Sequence, residues 1–271
     1  MTVMVISQTS THPVFVIGAP LSGAGRVAAW LGQHGQARML RLIQASGPEW
    51  ARDSDRLHIS DDAAATVRQG LATQQGARIE THPAIALNVD VIATVFPRAR
   101  FLFLYRDVRE HLARMLNAWD AQRYVHPSGV HCGSHQPWCL NLPQNWSSVA
   151  HWPVDQIVAW QWVISTQWAL NALAALPAER WAIASFDRLL SDGQGERLRL
   201  TRVLGLPTPA TSPVLARVGE QSPALANWQG YGERIAALAP LVAAQADRAV
   251  KLFAERPNTR AQRSLERSSP P

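Results

Sequence analysis

Three short, mainly apolar runs punctuate the chain: Val14 to Ile17, Arg100 to Tyr105 and Trp181 to Phe186. Their apolar positions are contiguous rather than alternating, and β-branched and aromatic residues dominate, as in strands of a parallel sheet buried on both faces. A shorter run, Ala77 to Glu80, predicts one more strand ending at Thr81-His82-Pro83. Between the runs the spacing changes to that of helices. One helix is expected to begin near Gly23, and one at Arg106-Asp107 to run through Trp119. Others are expected from about Val154 to Leu176 and from about Tyr231 to Phe253. Ile85, Val89, Ile92, Ala93 and Phe96 recur at helical spacing, so residues 84 to 95 are predicted as a single helix with Pro83 in its first turn and Pro97 as its stop. Asp61 and Asp62 are placed as caps of a helix to about Gln75, while Gly35 to Ser60 follows no clear period. Strands separated by helices imply an α/β fold, a central parallel sheet flanked by helices, with ligands at the C-terminal edges of the strands.

A chain of 271 residues without an evident linker reads as a single domain, residues 13 to 255, between polar tails at 1 to 12 and 256 to 271. No apolar run approaches the roughly 18 residues of a membrane span, and residues 1 to 12 lack the basic start and apolar centre of a secretory signal. A cytoplasmic protein is therefore expected, with Cys132 and Cys139 as free thiols. The net charge of +6 rests almost wholly on arginine, since Lys251 is the single lysine. An arginine-rich genome would produce this, and so would a site for a multiply phosphorylated ligand, which the bidentate guanidinium suits. The arginines are scattered and form no basic stripe interleaved with aromatics, which argues against nucleic acid as a partner.

The first strand-to-helix junction carries the clearest chemistry. Gly18 and Gly23 to Gly25 lie between the strand and the helix, and the unpaired N–H groups of a helix N-terminus favour phosphate or sulfate. It is not a Walker A loop: Ala24 and Gly25 stand where Lys and Ser or Thr would follow Gly23, which excludes an ordinary ATPase and weakens a nucleoside-phosphate kinase.

Three segments in order resemble the sulfotransferases that use 3′-phosphoadenosine 5′-phosphosulfate (PAPS), the bacterial members in particular. IGAPLSGAGRVAAWL is similar to that family's phosphosulfate loop, GAPRSGTT or PKSGTTW. FPRARFLFLYRDVREHLARMLNAW resembles FPDARFVYLYRDPREVLAS, the most specific of the three. WAIASFDRLLSD with VLGLP resembles RYEDLLADP followed by FLGLP, and together with Trp138-Cys139-Leu140 and the Pro143 to Trp146 stretch the resemblance extends across most of residues 13 to 207. The resemblance implies a P-loop-like sulfotransferase fold, PAPS as co-substrate without a metal, and sulfuryl transfer to a hydroxyl or amine of a small-molecule, glycan or peptide acceptor.

It also implies site residues. The phosphosulfate loop falls on Pro20, Leu21, Ser22, Gly23, Ala24, Gly25 and Arg26, with backbone N–H groups from Ser22 to Arg26 around the 5′-phosphate. The chain departs from the family there, since Leu21 takes the place of the basic residue and Ala24 and Gly25 the places of paired threonines. Arg26 is the candidate replacement cation. The 3′-phosphate pair falls on Arg106 and, in place of a serine, Arg114; Arg106 alone has an alternative reading as a helix charge paired with Asp107 or Glu110. The acceptor's proton needs a base, for which His82 and Glu80 compete, with His82 slightly favoured. A second reading stays open on these departures: a catalytically silent protein of this fold that binds a nucleotide or a partner.

Tyr124 to Trp152, rich in Pro, Gly, Ser, His and Trp, reads as a long loop over the acceptor site. Trp138, Trp146 and Trp152 either stack on the acceptor or seal the core, and Trp160, Trp162 and Trp168 are expected to pack. The spacing of His131, Cys132, His135 and Cys139 fits no common paired-ligand zinc framework, so no metal is expected.

Overall fold

The computed structural model describes residues 12–31, 78–123, 146–191, 193–206 and 228–255. Four strands form one parallel sheet: β1 (Pro13–Ile17), β2 (Arg78–Glu80), β3 (Arg100–Tyr105) and β4 (Trp181–Ser185), in the order β2-β1-β3-β4. The helices are α1 (Ala24–Leu31), α2 (Val89–Val95), α3 (Val108–Asp120), α4 (Val154–Ala174), α5 (Phe186–Ser191), α6 (Gly193–Leu204) and α7 (Gly232–Glu255). The protein is a single α/β domain with helices on both faces of the sheet.

The continuous apolar runs are explained by that layering. Phe15, Ile17, Phe101, Phe103 and Ile183 point to one face and pack with residues of α2 and α4. Val14, Val16, Leu102, Leu104 and Ala184 point to the other and pack with α1 and α6. With a side-chain period of two and both faces covered, the central positions of β1, β3 and β4 are apolar on both sides, while polar residues fall at strand ends such as Arg100 and Ser185 and on the short edge strand β2. A third cluster joins α3, α4 and α7 and includes Ala19 and Leu21 from the turn after β1. Arg234 of α7 fastens this cluster from outside, reaching Asp155 at 2.6 Å and Asp120 at 2.7 Å.

Most boundaries fall within a residue or two of expectation, but the single helix over 84–95 does not form. A 3₁₀ turn at Pro83–Leu87 is followed by a break at Asn88 and then by α2. The Asn88 amide takes the Ala84 carbonyl at 2.7 Å, and its backbone turns to φ −131°, so the side chain competes with the helical ladder it interrupts. The last strand stops at Ser185, since Ser185 Oγ accepts from Arg188 N at 3.3 Å and Phe186 already begins α5. α5 and α6 have no counterpart among the expected elements. The helix expected at 61–75, the loop residues 124–145 and the tails at 1–11 and 256–271 lie outside the described residues. No helix among the described residues is long and apolar enough to cross a membrane.

Candidate functional site: an arginine-lined cleft over the first turn

The chain leaves β1 towards β2 on one side and returns to β3 on the other, so a crevice opens above the C-terminal ends of β1 and its neighbours, where open parallel sheets bind ligands. A cleft of about 410 Å³ lies there, bounded by the turn from Gly18 to Arg26, by Thr81 and His82 after β2, and by Arg114 and Asn117 of α3. Arg26, Arg114 and Arg123 line it, and no carboxylate does among the described residues.

The turn is shaped by close packing. A β-carbon built on Gly18 would fall 2.7 Å from Ser22 Oγ, and one on Gly23 would fall 2.5 Å from Phe186 Cε2, where φ is also +94°. Ser22 N–H closes the turn onto Ala19 O at 3.1 Å, and Arg26 N–H bonds Gly23 O at 3.0 Å. These two amides, expected to face a phosphate, are therefore already engaged. The N–H groups of Gly23, Ala24 and Gly25 have no backbone partner among the described residues, as the first turn of a helix leaves them. Donors of this kind at the start of a helix suit an anion.

Behind them sits Phe186. Its ring lies 5.6 Å from the Arg26 guanidinium and 4.6 Å from that of Arg106, each a cation–π contact. Arg106, only 1% exposed, does not line the cleft. It bonds Glu110 at 3.2 Å, the nearest Asp187 oxygen is 4.0 Å away, and its Nε and Nη1 are buried without a hydrogen-bond partner among the described residues. Arg106 thus pairs with Glu110, as its reading as a helix charge expects, and has two donors without a partner among the described residues. Arg106, Glu110 and Arg114 stand at i, i+4 spacing on one helical stripe. Arg114 reaches the cleft; burial pushes its guanidinium below the usual range, as do Arg106 and Arg26, while Glu110 and Asp187 oppose this.

The two base candidates are separated by the sheet edge. Glu80, 4% exposed, is buried on β2 and does not line the cleft. His82 does, and burial lowers its pKa below the ordinary 6.5. Its Nδ1 accepts from Ala84 N–H at 3.2 Å and caps the 3₁₀ turn, so in the neutral ring Nε2 bears the proton.

One residue at this site carried no signal in the sequence. His111, 2% exposed, lies beneath the turn with Nε2 at 2.6 Å from Pro20 O, and Trp162 Nε1 donates to its Nδ1 at 3.1 Å. Trp162, expected only to pack, is also a hydrogen-bond donor. Among the described residues no group of His, Cys, Asp and Glu is arranged to hold a metal ion.

A parallel α/β sheet flanked by helices, with a glycine-containing turn between its first strand and helix, defines the P-loop-like class. Within it, solved structures identify the particular fold. The sulfotransferase domain from the curacin biosynthetic pathway superposes with a TM-score of 0.50 at 14% identity, over 80% of this chain and 82% of its own. Sulfotransferase STF9 from Mycobacterium avium superposes with a TM-score of 0.53 at 15% identity, over 87% and 76%. The chain has the sulfotransferase fold. No family model and no curated protein matches its sequence.

Proposed function

We propose that the chain is a cytoplasmic sulfotransferase that takes PAPS as donor and passes its sulfuryl group to a hydroxyl or amine of a small-molecule, glycan or peptide acceptor. The observation that carries this reading is the cleft itself: among the described residues, the N–H groups of Gly23 to Gly25 have no backbone partner and Arg26, Arg114 and Arg123 line the space without a carboxylate. Such a surface fits a ligand with more than one phosphate. The 5′-phosphate belongs at the turn and the 3′-phosphate towards Arg114 and the unused donors of Arg106.

In the reaction the acceptor oxygen forms a bond to sulfur as the bond from sulfur to the 5′-phosphate oxygen breaks, and that oxygen takes the electron pair. Charge grows on the departing phosphate, where the turn amides and Arg26 stabilise it in place of the cation absent at Leu21. Among the described lining residues His82 is the one imidazole and there is no carboxylate, so the acceptor's proton passes to His82 Nε2. That step requires the tautomer protonated at Nδ1, which gives up the bond from Ala84 N–H at a cost of about 1 kcal/mol.

A silent member of the fold is the second reading, favoured by Leu21, whose side chain packs into the α3–α4–α7 cluster and offers no charge. One experiment addresses donor and catalysis together. 3′-Phosphoadenosine 5′-phosphate (PAP) at one hundred times its Kd raises stability by about 2.7 kcal/mol, and adenosine 5′-phosphate at the same concentration by clearly less. Equal shifts would remove the 3′-phosphate site, no shift would remove the nucleotide reading, and PAP binding without transfer from labelled PAPS to an acceptor panel would leave the silent member.

A further inference from the structure

The Pro20–Leu21 peptide is held in a way that gives Leu21 a part in anion binding despite its apolar side chain. His111 cannot be assigned more than one way: a carbonyl sits opposite Nε2 and an indole N–H opposite Nδ1, so Nε2 donates to Pro20 O and Nδ1 accepts from Trp162. The ring is buried between α3 and α4, below the turn. In a trans peptide the carbonyl and the following N–H point in opposite directions, and no peptide bond among the described residues is cis. Drawing the Pro20 carbonyl down onto His111 therefore turns the Leu21 N–H up and away from the core, on the side where Pro20 and Leu21 border the cleft. That N–H has no backbone partner among the described residues.

The backbone angles agree. Leu21 has φ +64° and Gly23 φ +94°, while Ser22 between them is not in the positive region. Alternation of left- and right-handed residues curls successive N–H groups towards a common point, which is the geometry of an anion nest. A leucine resists positive φ, and it is held here at both ends: by the His111 bond to the residue before it and by its own packing with α3, α4 and α7.

We propose that His111 is a positioning residue, which through the Pro20 carbonyl presents the Leu21 N–H to the anionic group bound at the turn, so that a backbone donor acts at the position where a basic side chain is missing. This rests on the reading of the cleft as a nucleotide site. The anion served is the 5′-phosphate end of the donor, and Trp162 fixes the His111 tautomer that the arrangement needs.

Two variants test it. His111→Phe keeps a ring in the space but removes the donor; His111→Gln keeps a donor for Pro20 O and an acceptor for Trp162. Hydrogen exchange of the protein without nucleotide reads the turn directly, because Ser22 and Arg26 N–H are its bonded amides. We expect faster exchange over residues 18–26 in His111→Phe, unchanged exchange over residues 157–173 of α4, and near wild-type exchange over both in His111→Gln. Titration with PAP, far below each variant's melting temperature, should show a Kd raised about 10- to 100-fold in His111→Phe and within about threefold of wild type in His111→Gln, the range expected for one hydrogen bond to a charged group. Unchanged exchange over 18–26 in His111→Phe would overturn the inference, as would an unaltered PAP Kd in that variant. Exchange raised equally over the turn and α4 would reduce His111 to a packing residue and overturn it as well. Failure of the wild type to bind PAP would sink the nucleotide reading, while the exchange comparison would still decide whether His111 holds the turn.

Discussion

Replacing Arg114 with Met should make the free protein more stable and the nucleotide complex weaker. Arg114 stands two turns along α3 from Arg106, and Glu110 between them is already bonded to Arg106 at 3.2 Å. The two guanidiniums thus share Glu110, with Asp187 as a more distant second carboxylate and Arg26 adding like charge from across the turn. Arg114 Nε is buried without a hydrogen-bond partner, a condition that costs about 1 kcal/mol or more. Met keeps most of the apolar stem in place and removes the donor and the charge. The free protein should gain about 1 kcal/mol, a rise in Tm of roughly 2–4 °C for a domain of this size. If the same guanidinium meets a phosphate, the variant forfeits a charge-assisted contact, and the PAP Kd should rise about 10- to 100-fold. Urea denaturation gives the first quantity and calorimetric titration the second, on the same preparations. A variant less stable than wild type would show that Arg114 is satisfied within the fold. A stable variant with an unaltered Kd would show that its charge serves no anion in the cleft.

The remaining expectations concern protons. His82→Ala should lower turnover at least tenfold while leaving PAP affinity within a few fold, and Glu80→Gln should do less, since only His82 lines the cleft; a turnover abolished by Glu80→Gln alone would transfer the base role to the buried carboxyl. His111 is held by burial at a pKa of about 3, against 6.5 when unfolded, so between those values the unfolded chain binds the additional proton and stability falls as pH drops. Its share is complete above pH 6.5 and is lost towards pH 3, at up to about 1.4 kcal/mol per pH unit for one proton, with His12 and His82 shifted in the same direction by burial. Denaturation midpoints at pH 7, 6 and 5 should fall less steeply in His111→Gln than in wild type; parallel slopes would exclude His111 as the titrating group.

Burial on both faces is why the sheet was readable from the sequence: it leaves contiguous apolar runs that nothing else in a helical chain imitates. The glycines after β1 were readable for a similar reason, since Gly18 and Gly23 are places where a side chain would collide with Ser22 or Phe186. The break at Asn88 was hidden because the apolar period continues through it, and only the side-chain bond to Ala84 O shows that the ladder is interrupted. His111 was hidden for a different reason. Its partners lie 91 and 51 residues away, and a lone histidine on a charged helix has no local pattern to mark it. Arg106 was found by its motif, but its withdrawal behind the cleft was set by Phe186, a residue that the sequence showed only as the end of a strand.

Phe186 ties Arg26 and Arg106 into a single electrostatic account. Its ring is shared by Arg26, which lines the cleft, and Arg106, which stands behind it, so one aromatic quadrupole is divided between two cations. An anion that draws either guanidinium off the ring leaves the other without a competitor for it. A ligand that pulled one guanidinium from the ring would therefore change how firmly the other is held, and Phe186 would couple the two arginines without lining the cleft itself.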